Sequence, residues 1–287
     1  MARMSRTRRF LQVDVFSAVP TRGNALAVVV DGDGLEAETM QRFAVWTNLS
    51  ETTFLLPPED ASADYRVRIF TPTHEMRFAG HPTLGSCVSW LHAGGVPREA
   101  GTVRQECPIG IVEVDVSGAA PAFVAPPTEI APMAGAEREA IATGLGIAPD
   151  RVVDAVRLDN GPDWALLELA AAADVLAVDS ARAAGIEIEP HSLGLIGRQE
   201  AGADTDYEVR MFAPRSNIAE DPITGSLNAA IAHWLAANGR LRGDLVVAQG
   251  TRIGRLGRVH VRPDPGDASR IAIGGEVHVL VDGRVTL

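Results

Sequence analysis

Three short segments of this 287-residue chain carry side chains suited to moving protons or holding anions: NLSET (48–52), AGHPT (79–83) and EDPITGS (220–226). Glu51 and Asp221 are their candidate carboxylates, and His81 is their imidazole. Such groups act as general acids and bases when their surroundings bring the pKa near the working pH. Each also has an ordinary reading. A glutamate after Asn-Leu-Ser caps turns, Asp221 before Pro222 is a common turn starter, and His81 between a glycine and a proline sits at a turn. The other histidines (His74, His92, His191, His233, His260 and His278) lack metal-ligand spacing, so no metal site is expected.

AGHPT and EDPITGS each stand at the mouth of an apolar, helix-like stretch: GHPTLGSCVSWLHAGG (80–95) and DPITGSLNAAIAHWLAANG (221–239). A helix start presents unpaired backbone N–H groups and a partial positive charge. Gly80, Gly225 and Ser226 are small enough to let a ligand approach that end. Taken singly, simple capping by Thr83, Thr224 or Ser226 accounts for these residues. Taken as a duplicated pair, a site for a carboxylate or enolate-like anion is the stronger reading. The two mouths are then expected to line one cavity together with Glu51.

The duplication is written in the chain. Residues 64–72 (DYRVRIFTP) and 206–214 (DYEVRMFAP) share six of nine positions at an offset of 142, and Tyr65 and Tyr207 are the only tyrosines. Both alternate as strands do and end at a proline. A period near half the chain length means two similar lobes rather than a solenoid. Residues 35–49 read as an amphipathic helix with Met40, Phe43, Ala44 and Trp46 on its apolar face, and residues 136–145 are expected to be the matching helix. The proline-rich stretch 120–133 is the expected linker, and the tail reads as strand–turn–strand with Asp282-Gly283 as the turn. The expected fold is α+β in two lobes, each a twisted sheet wrapped on a helix: residues 1–125, completed by about 278–287, and residues 126–277.

Composition narrows the function. Net charge is −11, which disfavours nucleic acid as a partner. No apolar run approaches the roughly 20 residues of a spanning helix, and the basic MARMSRTRR start is not followed by a secretory pattern, so a cytoplasmic protein with a frayed N-terminus is expected. All 26 basic residues are arginine. Without lysine the chain forms no Schiff base with pyridoxal phosphate or a carbonyl substrate and carries no P-loop lysine. Cys87 and Cys107 make no CxxC pair and read as small buried fillers.

The strings VDVFSAVPTRGNALAVVVDG, NLSETTFLLPP, RVRIFTPTHEMRFAGHPTLG and MFAP…EDPITGS together resemble the PhzF family, phenazine-biosynthesis-type isomerases with a diaminopimelate epimerase-like fold. The resemblance runs from about Phe10 to the C-terminal strands. It implies two pseudo-twofold-related lobes, each a curled, mostly antiparallel sheet around a central helix, with the site in the cleft. It also implies catalysis without cofactor or metal, and a homodimer. Glu51 matches the family's proton-transferring glutamate, while His81, Asp221 and Ser226 match residues that contact substrate. Two positions depart from the pattern: Ala25, where the family often has proline, and Asn217, near a common glycine. The related epimerases place two opposing thiols at the helix mouths; none stands there in this chain, so two-thiol racemisation is not expected.

A lone carboxyl suits isomerisation, since moving a double bond along a conjugated acid needs one group that takes a proton from one carbon and returns it to another. Burial is expected to raise the Glu51 pKa toward neutrality for that task. His81 and Asp221 would orient the substrate, a small carboxylate, while Gly80, Gly225 and Ser226 line the anion site. The best-known family reaction isomerises a cyclic dihydro-hydroxyanthranilate. The alternatives are an epimerase, lyase or tautomerase acting on another small acid, or a non-catalytic binder of small anions.

Overall fold

The computed structural model describes residues 5–186, 192–213, 218–267 and 269–287. The chain divides into two compact units, one of Met1–Val124 with Gly274–Leu287, the other of Ala125–Ile273.

In the first unit the order is β1 (Thr7–Val15), β2 (Asn24–Val29), α1 (Ala37–Thr47), β3 (Glu51–Leu56), β4 (Tyr65–Phe70), β5 (Glu75–Met76), α2 (Gly80–His92), β6 (Thr102–Cys107), β7 (Gly110–Asp115) and β8 (Ala122–Val124). The second unit runs β9 (Glu129–Pro132), α3 (Gly135–Leu145), β10 (Val152–Asp159), β11 (Asp163–Leu169), α4 (Ala172–Ala177), α5 (Ser180–Ala184), β12 (Leu193–Arg198), β13 (Tyr207–Ala213), β14 (Ile218–Asp221), α6 (Gly225–Ala237), β15 (Leu245–Gln249) and β16 (Gly257–Pro263). Then β17 (Ile271–Gly274) leads back to the first unit and its closing strand, β18 (Val277–Thr286).

The duplication extends to the pairing. In the first unit β1–β2 is antiparallel, β2–β3 parallel, β3–β4 and β4–β5 antiparallel, β4–β6 parallel and β6–β7 antiparallel. The second repeats this in β10–β11, β11–β12, β12–β13, β13–β14, β13–β15 and β15–β16. Each parallel pair needs a crossover, and a helix supplies it. α2 and α6, thirteen residues each, make the second crossover of their units. Both are mostly buried, α2 against β1, β2 and β3, and α6 against β10 and β16. A helix apolar nearly all round belongs inside a core, which places each at the centre of its own curled sheet.

Several sequence expectations need correction. The counterpart of α1 is the α4–α5 pair, which joins the parallel strands β11 and β12 as α1 joins β2 and β3; α3 lies earlier, before β10. Met40, Phe43 and Ala44 of α1 are buried, but Trp46 is 77% exposed and stacks on Phe43 from outside. The linker expected at residues 120–133 does hold the division between the units, at Val124/Ala125, with β8 just before it and β9 after it. Asp282-Gly283 makes no turn. β18 runs through it, with Leu11 opposite Asp282 and Phe10 opposite Gly283, because the long strand β1 pairs with β18 on both sides of the dipeptide, the register shifting only between Gln12 and Val13. Two residues, Gly275 and Glu276, join β17 to β18.

Candidate active site

Glu51 is the first residue of β3, and the residues before it explain its placement. α1 ends at Asn48, whose φ of 54° is the left-handed conformation that asparagine tolerates better than most side chains. The chain then reverses into β3, where Leu26 of β2 stands opposite Glu51. The next two residues anchor the strand. Thr52 Oγ1 lies 2.7 Å from Thr47 Oγ1, and Thr53 Oγ1 accepts a hydrogen bond from Ser86 Oγ of α2 at 2.9 Å. A 12% exposed carboxyl is thus left at the strand's start.

His81 is not at a loose turn, as its sequence neighbours suggest, but is the second residue of α2 and 3% exposed. Proline is tolerated in a first helical turn, so Gly80-His81-Pro82 opens the helix without breaking it. His81 Nε2 lies 3.4 Å from Glu51 Oε2, and Nδ1 lies 3.4 Å from the side-chain nitrogen of Asn24, the first residue of β2. Burial pulls the imidazole down to about 3, against a weaker opposing effect of a hydrogen bond with the Ala25 backbone. The Glu51–His81 contact at neutral pH is therefore between a carboxyl and an uncharged imidazole, not a salt bridge.

The loop before Asn24 is held by unusual backbone. Phe16, fully buried, has φ of 69°, a strained value for a bulky side chain. Gly23 passes so close to β1 that a Cβ there would stand 2.3 Å from the Val15 carbonyl oxygen. Its N–H donates to Asp14 Oδ2 at 2.9 Å. Ala25 lies within β2, opposite Asp14 of β1.

In the second unit Asp221 ends β14, 5% exposed, and the Thr224 hydroxyl donates to its Oδ2 at 2.5 Å. Gly225 and Ser226 open α6 at the same two positions that Gly80 and His81 hold in α2. The capping explanation fails at both mouths: the N-cap residues Ala79 and Thr224 make no side-chain cap hydrogen bond among the described residues. Thr224, a good capping type, turns its hydroxyl back to Asp221, and Thr83 donates to the Ala79 carbonyl at 2.9 Å. Asn160 Nδ2 donates to the Ser226 carbonyl at 2.8 Å and is itself oriented by Trp164 Nε1 at 3.1 Å. Asn217 lies outside the described residues.

Sequence reasoning missed Asn24, Asn160 and Gln249 because single asparagines and glutamines carry no spacing signal; Gln249 donates to Thr224 Oγ1 at 3.0 Å. The cysteines are as expected in place: both are buried and free, and burial pushes the Cys87 thiol up to about 12. Among the described residues no cluster of three or more His, Cys, Asp or Glu is arranged to hold a metal ion, and no helix is long and apolar enough to cross a membrane.

A family profile for phenazine biosynthesis-like proteins matches residues 13–283. The chain is 33% identical to antisense-enhancing sequence 1 of Schizosaccharomyces pombe, over 96% of this chain and 97% of that one. It is 30% identical to trans-2,3-dihydro-3-hydroxyanthranilate isomerase of Pseudomonas aeruginosa, over 97% and 99% of the two chains. A crystal structure of a PhzF-family protein from Bacillus anthracis superposes with a TM-score of 0.83 at 24% identity, covering 98% of this chain and all of the other. The fold is diaminopimelate epimerase-like.

Proposed function

The chain belongs to the phenazine biosynthesis-like, or PhzF, family of isomerases, and from that premise we propose that it moves a proton and a double bond within a small carboxylic acid, with Glu51 as acid and base. The observation that carries the proposal is the pairing of the Glu51 carboxyl with a neutral, buried His81 at the start of α2. An uncharged imidazole puts no positive charge of its own beside the carboxyl. A carboxyl in that position can hold a proton and release it again, whereas an adjacent imidazolium would favour the ionised form. In this reading Glu51 removes a proton from one carbon of the substrate, the electron pair shifts along the conjugated system, and the same proton returns to a second carbon. Nothing is oxidised or reduced, and no cofactor is required.

His81 keeps the Glu51 carboxyl in place and contacts the substrate. Gly80, Asp221, Gly225 and Ser226 complete the set of substrate-binding residues, with first-turn N–H groups receiving the charge that develops on the carboxylate or enol. The substrate proposed is trans-2,3-dihydro-3-hydroxyanthranilate, on which the Pseudomonas aeruginosa relative is named as acting. The test incubates the chain with that compound and follows the conjugation change by absorbance and the product by NMR. Conversion by the wild type and its loss in Glu51→Gln support the reading. Unchanged turnover in Glu51→Gln removes Glu51 from the mechanism, and no conversion by the wild type removes the substrate.

A further inference from the structure

Gln249, at the end of β15, is fully buried, and both ends of its amide are engaged. Its Oε1 accepts from the Thr224 backbone N–H at 3.0 Å and from Asn228 Nδ2 at 2.9 Å. Its Nε2 donates to Thr224 Oγ1 at 3.0 Å and to the Asp221 carbonyl at 3.3 Å. Asn228 Nδ2 also donates to the Thr224 carbonyl at 2.9 Å, which fixes the orientation of the asparagine amide. An amide NH2 can only donate, so Thr224 Oγ1 must accept from Gln249 and spend its own hydrogen elsewhere. The group within reach is Asp221 Oδ2, 2.5 Å away.

We propose that Gln249 is a positioning residue for the reaction: acting through the Thr224 hydroxyl, it holds the Asp221 carboxylate in one orientation as a hydrogen-bond acceptor beside the start of α6. The proposal rests on the reading of Asp221 as a substrate-binding residue. It is a directed chain, amide N–H to hydroxyl to carboxylate, and a charge-assisted hydrogen bond is its last link. Arg210 of β13 and Glu220 of β14 are bound to each other, and the Thr224 hydroxyl is a donor that the structure turns toward the Asp221 carboxylate.

The first unit supports the directional argument by contrast. There a buried glutamine in the equivalent crossover strand, Gln105 of β6, also donates to a threonine in the first turn of the helix, Thr83, at 3.1 Å. Tyr65 fixes that amide by donating to Gln105 Oε1 at 2.8 Å. Yet Thr83 then donates to a backbone carbonyl, that of Ala79. With Gly80 matched to Gly225, Thr83 corresponds to Asn228 and Thr224 to Ala79, so each unit's glutamine braces the fourth residue of its helix, while the hydroxyl at the N-cap that ends on a carboxylate is particular to the second unit.

The experiment follows the Asp221 carboxyl by carbon-13 NMR through a pH titration, its resonance assigned by its absence in Asp221→Asn. Thr224→Val deletes the hydroxyl at constant shape. Gln249→Glu keeps the acceptor for Thr224 N–H and Asn228 but removes the donors, drawing the hydroxyl away from Asp221 and adding a like charge. Both variants should move the Asp221 titration upward by about one pH unit or more, and Thr224→Ser should restore it. Binding of 3-hydroxyanthranilate, an aromatic analogue of the proposed substrate, should weaken about tenfold in the first two variants and recover in Thr224→Ser. An Asp221 titration that is unmoved in whichever of Thr224→Val and Gln249→Glu folds overturns the proposal. Failure of the wild type to bind 3-hydroxyanthranilate counts against the reading of the site instead, and the titration, read without ligand, still decides the relay.

Discussion

His81 Nε2 stands 3.4 Å from Glu51 Oε2, with the imidazole held uncharged by burial. If the carboxyl is the proton carrier, Glu51→Gln preserves the shape and contact but cannot accept and return a proton. General acid–base catalysis contributes about 10²–10⁴-fold, so turnover should fall by that order while 3-hydroxyanthranilate still binds. Glu51→Asp should retain a residue of activity, because the carboxyl persists but is withdrawn by one methylene. Steady-state assays and calorimetric binding on the same preparations check this.

The neutral state of His81 has a cost that pH exposes. Burial lowers its pKa in the folded chain from the ordinary 6.5 to about 3, so the unfolded chain binds the extra proton first. Stability from this group is therefore present above about pH 6.5 and lost as pH falls toward 3, by up to ~1.4 kcal/mol per pH unit. Urea denaturation of wild type and His81→Asn at pH 7, 5 and 4 should show the variant losing less stability on acidification. Parallel pH profiles would mean the imidazole is not buried neutral.

Glu208 of β13 predicts the opposite trend. It is 1% exposed, its Oε1 has no hydrogen-bond partner among the described residues, and burial raises its pKa from 4.5 to about 7. A hydrogen bond with Thr251 and the charges of Arg258 and Arg210 oppose that shift only in part. The folded chain holds this proton more tightly, so the stabilisation is full below pH 4.5 and is lost as pH rises through 7. Glu208→Gln, a neutral isostere, should leave the melting temperature nearly unchanged at pH 5 and raise it at pH 8, by about 1–3 kcal/mol of stability.

Two equivalent ion pairs should differ sharply in worth. Arg68 forks onto Glu75 at 2.7 and 2.6 Å and lies over the Phe70 ring; Arg210 forks onto Glu220 at 3.0 and 2.7 Å and lies over Phe212. The first pair is partly exposed, at 26% and 34%, whereas the second is buried at 0% and 3% and also serves the Val175 and Val178 carbonyls. Arg68→Met should cost about 0–1 kcal/mol. Arg210→Met should cost about 3–5 kcal/mol, because it strands a buried carboxylate and two carbonyls. Denaturant midpoints of the two variants compare them directly.

What was legible in the chain follows from what leaves a pattern. The DYxVRxF strands announced the repeat because strand alternation and shared residues survive at a fixed offset, and the apolar stretches after them announced α2 and α6. The partner of α1 was misread because the second crossover is broken into two short helices, α4 and α5, with too few turns to show a periodicity, while α3 shows one without being the counterpart. Asp282-Gly283 has the composition of a turn, but pairing with β1, some 270 residues away in sequence, overrides it. Glu51 and His81 stood out only by motif. That they touch, and that His81 is neutral, depends on burial by β2, β3 and α2 together, which no local window contains. Gln249 was invisible for the same reason.

The route of the chain through its two units also sets an order of assembly. β1 takes β18 as a neighbour over nine register positions, and Arg6 and Leu287 exchange backbone hydrogen bonds at 2.8 and 3.1 Å. During synthesis, every strand of the second unit therefore emerges before the strand that closes the first. Domains fold as units as they leave the ribosome, and pairings distant in sequence are slow. The second unit can complete itself while the first still waits with β1 open along one edge. An unpaired edge is a place where chains aggregate, so truncation within residues 277–286 should yield a nascent chain that is sticky at its beginning, although the missing piece is at its end.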